Sequence, residues 1–276
     1  VHFLSTDPLD LVAQKLLRVN LSDLAAKGAE AYAYFLTIAW PARFGRAERE
    51  AFVLGLRQAQ DAYGLKLLGG DTVSTPGPLT ASVTILGRAP HGGMVLRSNA
   101  RAGDLVLVSG SIGDGWLGLQ AALGKGEGMN GDARAAMLAR YRLPQPRMVM
   151  FDLLRRRVHA AADVSDGLLA DAGHIATASA VAMELDLDLI PLSAEGRDFV
   201  ARSTDSIAAR VALASGGDDY EIVLTAAAAD AELVIAEAAQ LKVPLTVIGR
   251  EVEGQGVRVS FQGTQIRIAN PGYQHT

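Results

Sequence analysis

The chain has 276 residues, of which 49% are hydrophobic and 20% are charged, and its formal net charge is −4. This length suffices for one large or two medium domains, and the composition is too apolar for a disordered chain. The acidic balance argues against nucleic-acid binding, and the lack of cysteine excludes disulfides, thiolate metal sites and a cysteine nucleophile. No apolar run approaches the length of a membrane span, so we expect a cytoplasmic protein without a nucleic-acid or membrane partner.

Periodic patterns predict alternating helices and strands in the N-terminal third. Asp7 and Pro8 indicate a helix start, with Asp7 as the capping acceptor, and Gly28 suits the end of that helix. The stretch "LKLLGGDT" is typical of a short buried strand that runs into a glycine turn. The other elements predicted here are strands over 34–40 and 79–87 and a helix from about Arg46 to Tyr63, closed by Gly64.

A polar, irregular stretch then indicates a domain boundary near residue 95, which gives domains 1–95 and 96–276. The second domain continues the alternation, with helices between the predicted strands. Those strands are "DLVLVSG", "AADV", "VAMELDL", "YEIVLTA", "LTVIG" and a terminal hairpin. The alternation predicts an α/β (α+β) fold with mixed sheets.

Aspartates recur where a helix or strand meets a turn. They lie in four segments, at Asp23, at Asp71, at Asp163 with Asp166, and at Asp218 with Asp219. Magnesium prefers carboxylate oxygens and takes one or two of them beside substrate phosphates. Neighbouring glycines permit close backbone approach, and Ser165 offers a hydroxyl and an amide to phosphate at a predicted helix start. The pattern predicts a site for Mg²⁺ and a nucleotide triphosphate.

Each acidic segment also has an ordinary structural interpretation. Asp163, Ser165 and Asp166 would cap the helix that follows, although one cap accounts for only one of them. Asp71 and the pair at 218–219 would be turn residues, and Asp23 a solvated residue on a helix surface. The metal interpretation rests on the four segments together.

The stretch "SGSIGDG" follows a predicted strand, as a dinucleotide-binding loop does. Its glycines, at 110, 113 and 115, give the spacing G-x-x-G-x-G, the reverse of the dinucleotide-binding order. Tight packing of strand against helix is the better interpretation, and a dinucleotide-dependent oxidoreductase stays an alternative. No segment matches the phosphate-binding motif G-x-x-x-x-G-K-[ST].

Seven motifs follow one another from His2 towards Tyr273: "VHF", "NLSDLAAKGAE", "GGDT", "RSNARAGD", "SGSIGD", "DVSDGLLADAGHI" and "SGGDDYE". In this order they resemble thiamine-monophosphate kinase, a family in the superfamily of aminoimidazole ribonucleotide synthetase and selenophosphate synthetase. The resemblance implies transfer of the γ-phosphoryl group of ATP to thiamine monophosphate, with Mg²⁺, to give thiamine diphosphate. It also implies two α/β domains, with N-terminal mixed sheets that pair across a homodimer into a barrel.

The resemblance assigns roles to matching positions. It implies Mg²⁺ ligands at Asp23, Asp71, Asp163 and Asp166, ATP contacts at Gly70, Asp71, Arg97 and Ser165, and thiamine monophosphate contacts at His2, Asp218 and Tyr273. An aromatic ring such as that of Tyr273 suits stacking and cation–π attraction to the thiazolium. No side chain is expected to act as nucleophile or general base, because a largely ionised phosphate oxygen attacks the γ-phosphorus directly.

The chain departs from the family pattern in a few places. An acidic "DDAA"-type segment and a Thr/Asp pair before the first motif are absent, so we expect that an upstream segment with further Mg²⁺ ligands is missing. Asn99 stands where glycine is usual, and Thr276 where phenylalanine is common. A selenophosphate synthetase-like or hydrogenase-maturation-like enzyme stays an alternative, as does a nucleotide-binding protein without turnover.

Overall fold

The computed structural model describes residues 3–89, 93–126 and 128–273. Its helices are α1 (Leu9–Ala26), α2 (Arg46–Tyr63), α3 (Asp114–Ala122), α4 (Gly131–Arg142), α5 (Phe151–Arg157), α6 (Leu168–Ser179), α7 (Ala194–Arg202), α8 (Ser206–Ser215) and α9 (Ala231–Gln240). Its strands are β1 (Glu30–Pro41), β2 (Lys66–Thr75), β3 (Thr80–Arg88), β4 (Asp104–Ser109), β5 (Ala160–Asp163), β6 (Ala182–Asp186), β7 (Ile222–Ala227), β8 (Leu245–Val252), β9 (Gly256–Phe261) and β10 (Thr264–Ile266). Mixed sheets with helices between the strands confirm the predicted α/β class.

The smaller sheet has the order β2-β1-β3, with β1 parallel to β2 and antiparallel to β3. Helices α1 and α2 bury one apolar stripe each against this sheet, since Leu17 and Leu21 of α1 and Phe52 of α2 share a core with Tyr34 of β1. Strand β2 stays solvent-exposed along nearly its whole length. The sheet therefore carries α1 and α2 on its covered side, and among the described strands both edge strands, β2 and β3, have no partner on their outer side.

The larger sheet has the order β10-β9-β6-β8-β4-β7-β5. Strand β4 shows why its sequence is nearly all apolar. Val106 and Val108 face a core built with α6 and α8, whereas Leu107 faces a second core built with α5 and α9. A strand covered on both faces needs apolar residues at every position.

Among the described helices, none is both long and apolar enough to cross a membrane.

Two local predictions were wrong. Asp7 does not cap α1: Pro8 occupies the N-cap position, and the Asp7 carboxylate accepts hydrogen bonds from the Leu4 N–H and from Nε of Arg142, each at 2.8 Å. The "GGDT" segment is not a turn, because β2 runs through it. A Cβ at Gly70 would collide with the carbonyl oxygen of Leu36 on β1, so glycine here permits two strands to approach.

The helix predicted from Arg46 to Tyr63 is confirmed, and Gly64 ends it in the left-handed conformation with φ +66°. Gly28 likewise follows α1 with φ +62°.

Glu251 on β8 is a buried acid. It is 1% exposed, and neither carboxylate oxygen has a hydrogen-bond partner among the described residues. Burial, with a smaller contribution from the Asp104 carboxylate, raises the pKa of Glu251 from 4.5 to about 7. Ionisation of this side chain therefore costs folding free energy.

We predict that Glu251→Gln stabilises the protein at pH 8 and has little effect at pH 5. The folded-state pKa lies above the unfolded one, so the wild type keeps full stability below pH 4.5 and loses it as the pH rises through about 7. The gain at pH 8 should be about 2–3 kcal/mol in denaturant unfolding. Exposed Glu253→Gln is the control, and an equal gain for Glu251→Gln at both pH values would contradict the prediction.

Candidate active site

A cavity of about 950 Å³ lies where α1 and β3 meet the β5–α6 turn, the end of α8 and the chain before β7. Four of the predicted acids line it, Asp23, Asp163, Asp166 and Asp218, together with Ser165 and Tyr273. These residues come from four separate segments of the chain. The structure therefore brings most of the predicted site residues to one place.

Asp23 and Asp163 crowd one wall of the cavity. Asp23 lies in the last turns of α1, and Asp163 ends β5 with 3% exposure. Burial and the Asp23 carboxylate raise the pKa of Asp163 to about 6, and burial also raises the pKa of Asp23. Arg97 and Lys27 oppose the shift at Asp23 by Coulombic attraction. Arg97 does not line the cavity, although its charge acts on both acids.

Asp171 fixes the β5–α6 turn by hydrogen bonds to its backbone. Its carboxylate oxygen Oδ2 accepts the N–H groups of Ser165, at 2.9 Å, and Asp166, at 3.0 Å. The Ser165 amide is thus engaged by Asp171, and the part of the phosphate-binding prediction that used this amide has no support in the geometry. Helix α6 has Gly167 at its N-cap position and no side-chain cap, so the capping interpretation of Asp163, Ser165 and Asp166 was wrong.

The segment before β7 pairs with that same turn. The Asp218 N–H donates to the carbonyl oxygen of Ser165 at 3.0 Å, and the Tyr220 N–H donates to that of Val164 at 2.8 Å. Asp218 and Tyr220 both adopt left-handed conformations, with φ +70° and +52°. Such backbone is costly for residues other than glycine and persists where its surroundings enforce it.

The neighbouring acids Asp218 and Asp219 have different environments. Asp218 lines the cavity, whereas Asp219 is 2% exposed and accepts the N–H groups of Gly113, at 2.8 Å, and Gly115, at 2.9 Å. Asp219 thereby binds the N-terminus of α3, where a negative charge is favoured. A Cβ at Gly115 would overlap the Asp218 carbonyl group, so the glycines of "SGSIGDG" serve close packing, as predicted.

Glu221 anchors the other end of the segment, and sequence analysis gave it no role. Glu221 is 1% exposed. Nε of Arg147 and the Ser109 hydroxyl each donate a hydrogen bond to its carboxylate oxygen Oε2, at 2.6 Å. Arg140 adds a bond to Oε1 at 3.0 Å, and Arg147 also contacts that oxygen. Because both arginines lie more than 70 positions away in the chain, no local pattern could have revealed the network.

Lys15 also escaped the sequence analysis. It lines the cavity from α1, and its Nζ lies 2.9 Å from Oδ1 of Asp218. Helical spacing could have suggested Lys15 as a site residue, since it lies eight positions before Asp23 and on the same face of the helix.

Asp71 and Gly70 lie apart from this cavity. Both are on exposed β2, opposite Thr37 and Leu36 of β1, and neither lines the cavity. The Asp71 carboxylate accepts the N–H of Thr72 at 2.8 Å. The fourth predicted metal ligand is therefore not brought together with Asp23, Asp163 and Asp166 in one chain.

The remaining predicted substrate contacts are at the chain ends. His2 lies outside the described residues. Tyr273 is 55% exposed at the cavity, and its N–H donates to the Asp166 carbonyl oxygen at 2.8 Å. His174, for which sequence spacing gave no metal role, has a ring nitrogen within 4.8 Å of carboxylate oxygens of Asp166 and Asp171.

Comparison with known proteins identifies the family. Residues 1–89 match the model of the AIR synthase related protein N-terminal domain, and residues 101–262 match that of the C-terminal domain. Thiamine-monophosphate kinase of Caulobacter vibrioides is 48% identical over 275 residues, which cover 100% of this chain and 77% of that protein.

Solved structures give the same result. The crystal structure of thiamine-monophosphate kinase from Stenotrophomonas maltophilia K279a is 39% identical, with a TM-score of 0.86, over 94% of this chain and 81% of that one. AaThiL complexed with AMPPCP and TMP is 28% identical, with a TM-score of 0.83, over 99% of this chain and 84% of that one. The chain belongs to the AIR synthase related family and, within it, to the thiamine-monophosphate kinases.

We predict that Glu221→Gln costs about 3 kcal/mol of folding stability. Neutralising this carboxylate leaves the charges of Arg140 and Arg147 without their buried partner. Glu184→Gln is a matched control, because Glu184 also contacts two arginines, Arg250 and Arg258, but is 35% exposed. That change should cost less than about 1 kcal/mol in the same urea titration. Equal costs would show that burial of the network contributes nothing.

Proposed function

We propose that the cavity binds ATP with Mg²⁺ next to thiamine monophosphate and that the γ-phosphoryl group passes directly between them, in line. The convergence of Asp23, Asp163 and Asp166 on one cavity, which Asp218 also lines, supports this proposal most. ATP-dependent phosphorylation of thiamine monophosphate follows from membership of the family. We propose in addition the Mg²⁺ ion, the in-line geometry of the transfer and the role of each residue.

The donor set suits Mg²⁺. Three carboxylates line one cavity, and carboxylate oxygen is the ligand that this cation prefers. Within the described residues, Arg97 and Lys27 are the cations whose charge lowers the pKa of Asp23, but burial outweighs them and raises it. When bound, Mg²⁺ would neutralise phosphate oxygens of both reactants. Asp23, Asp163 and Asp166 are the residues that would hold it.

Different side chains of the cavity contact the two substrates. Ser165 offers its hydroxyl to ATP from the β5–α6 turn, which Asp171 holds in place. Asp218 and Tyr273, which also line the cavity, meet thiamine monophosphate, since a carboxylate and an aromatic ring suit a cationic thiazolium. No nucleophilic side chain is needed, because the acceptor phosphate supplies the attacking oxygen. We assign Arg97 to ATP as a neighbour of the acidic wall.

We further propose a homodimer through β2. This edge strand exposes Leu67, Leu68 and Val73, each close to half accessible, and its outer edge is unpaired among the described strands. An exposed apolar edge strand offers a template for pairing with another chain. Asp71 and Gly70 lie on this strand, so their proposed contacts depend on the dimer. A light-scattering mass equal to that of one chain would contradict the proposed homodimer. The cytoplasmic location stays a prediction.

We predict that Asp166→Asn lowers turnover by at least about 100-fold with the fold intact, because it removes a carboxylate proposed to bind Mg²⁺. The measurement is formation of thiamine diphosphate from ATP, Mg²⁺ and thiamine monophosphate. Asp198→Asn, at an exposed position of α7, is the control and should leave the rate unchanged. Wild-type turnover that persists in Asp166→Asn would remove Asp166 from the site, and a wild type that forms no product would overturn the proposal.

A further inference from the structure

Lys15 is a cation in the wall of the cavity, and the other charged residues described there are acids. Its side chain is 5% exposed, and its ammonium lies 2.9 Å from Oδ1 of Asp218 and 3.7 Å from the centre of the Tyr141 ring. No second acceptor contacts this ammonium among the described residues. A carboxylate on one side and an aromatic face on the other thus fix the position of the charge.

Asp218 is a residue that needs such a constraint. Its backbone adopts the left-handed conformation, and its side chain is 23% exposed at the cavity. The Tyr220 hydroxyl donates to Oδ1 of Asp218 over a long 3.3 Å. Lys15 and Tyr220 therefore both contact Oδ1, and Oδ2 is left without a partner in the described part of the chain.

We propose that Lys15 is a positioning residue, which orients Asp218 so that its Oδ2 faces a cationic group of bound thiamine monophosphate. This inference rests on the proposed function, because it takes Asp218 as a substrate contact. The ion pair joins α1 to the segment before β7, so it also sets the distance between the two walls of the cavity. A side chain held in advance loses less entropy when the ligand binds.

If Lys15 is a positioning residue, the effects of the Lys15 and Asp218 substitutions on the KM for thiamine monophosphate should not be additive. Lys15→Met and Asp218→Asn should each raise the KM for thiamine monophosphate about tenfold or more, with the KM for ATP changed less than twofold. The double variant should be no worse than Asp218→Asn alone, since Lys15 acts through that carboxylate. Arg18→Met is the matched control, because Arg18 is a cation on the same helix that donates to the Pro144 carbonyl oxygen and does not line the cavity.

Other outcomes overturn the inference. Additive effects would mean that Lys15 contacts the substrate itself, and equal changes in both KM values would indicate a general structural role. Thermal melting checks that each variant is folded; Lys15→Gln, which keeps a donor without the charge, replaces Lys15→Met if that variant does not fold. Wild-type turnover is measured first, because its absence contradicts the proposed function, whereas turnover with an unchanged KM in Lys15→Met contradicts only the role of Lys15.

Discussion

Repulsion between carboxylates on one cavity wall is the constraint on which the account depends. Asp23 and Asp163 come from different parts of the chain, and the fold brings the exposed Asp23 within Coulombic range of the buried Asp163. Such an arrangement lowers stability unless a cation compensates for it. The nearby cations, Arg97 and Lys27, act on Asp23 from outside the cavity. A divalent cation bound among the acids would satisfy this constraint and bring phosphate groups with it.

A second group of acids holds the first in place. Asp171 accepts two backbone N–H groups of the β5–α6 turn, Asp219 accepts two at the start of α3, and Glu221 is bound by two arginines. All three are buried and point away from the solvent. Acidic residues thus serve two purposes. Some carboxylates line the cavity and are available to a ligand, and others form the hydrogen bonds and ion pairs that fix the backbone around the cavity.

The sequence predicted local structure well where periodicity was strong. The range of α2 follows from helical spacing, and glycine spacing explained the tight contact at Gly115. It failed at "GGDT", because a glycine pair that normally marks a turn here permits β2 to approach β1. The role of Glu221 depends on arginines far away in the chain, and no local pattern carries that information. Lys15 shares a face of α1 with Asp23, but its ion-pair partner Asp218 is likewise far away in the chain.

The most direct test of the account is the thermal stability of the full chain as Mg²⁺ is added with a non-hydrolysable ATP analogue. A ligand that binds only the folded state stabilises it by RT ln(1 + [L]/Kd) and so raises Tm as its concentration increases. If the acids share the cation, Tm of the wild type rises with Mg²⁺, whereas Tm of the Asp23→Asn/Asp163→Asn double variant starts higher without the metal and does not respond to it. An equal rise in both proteins would contradict the claim that these carboxylates form one metal site.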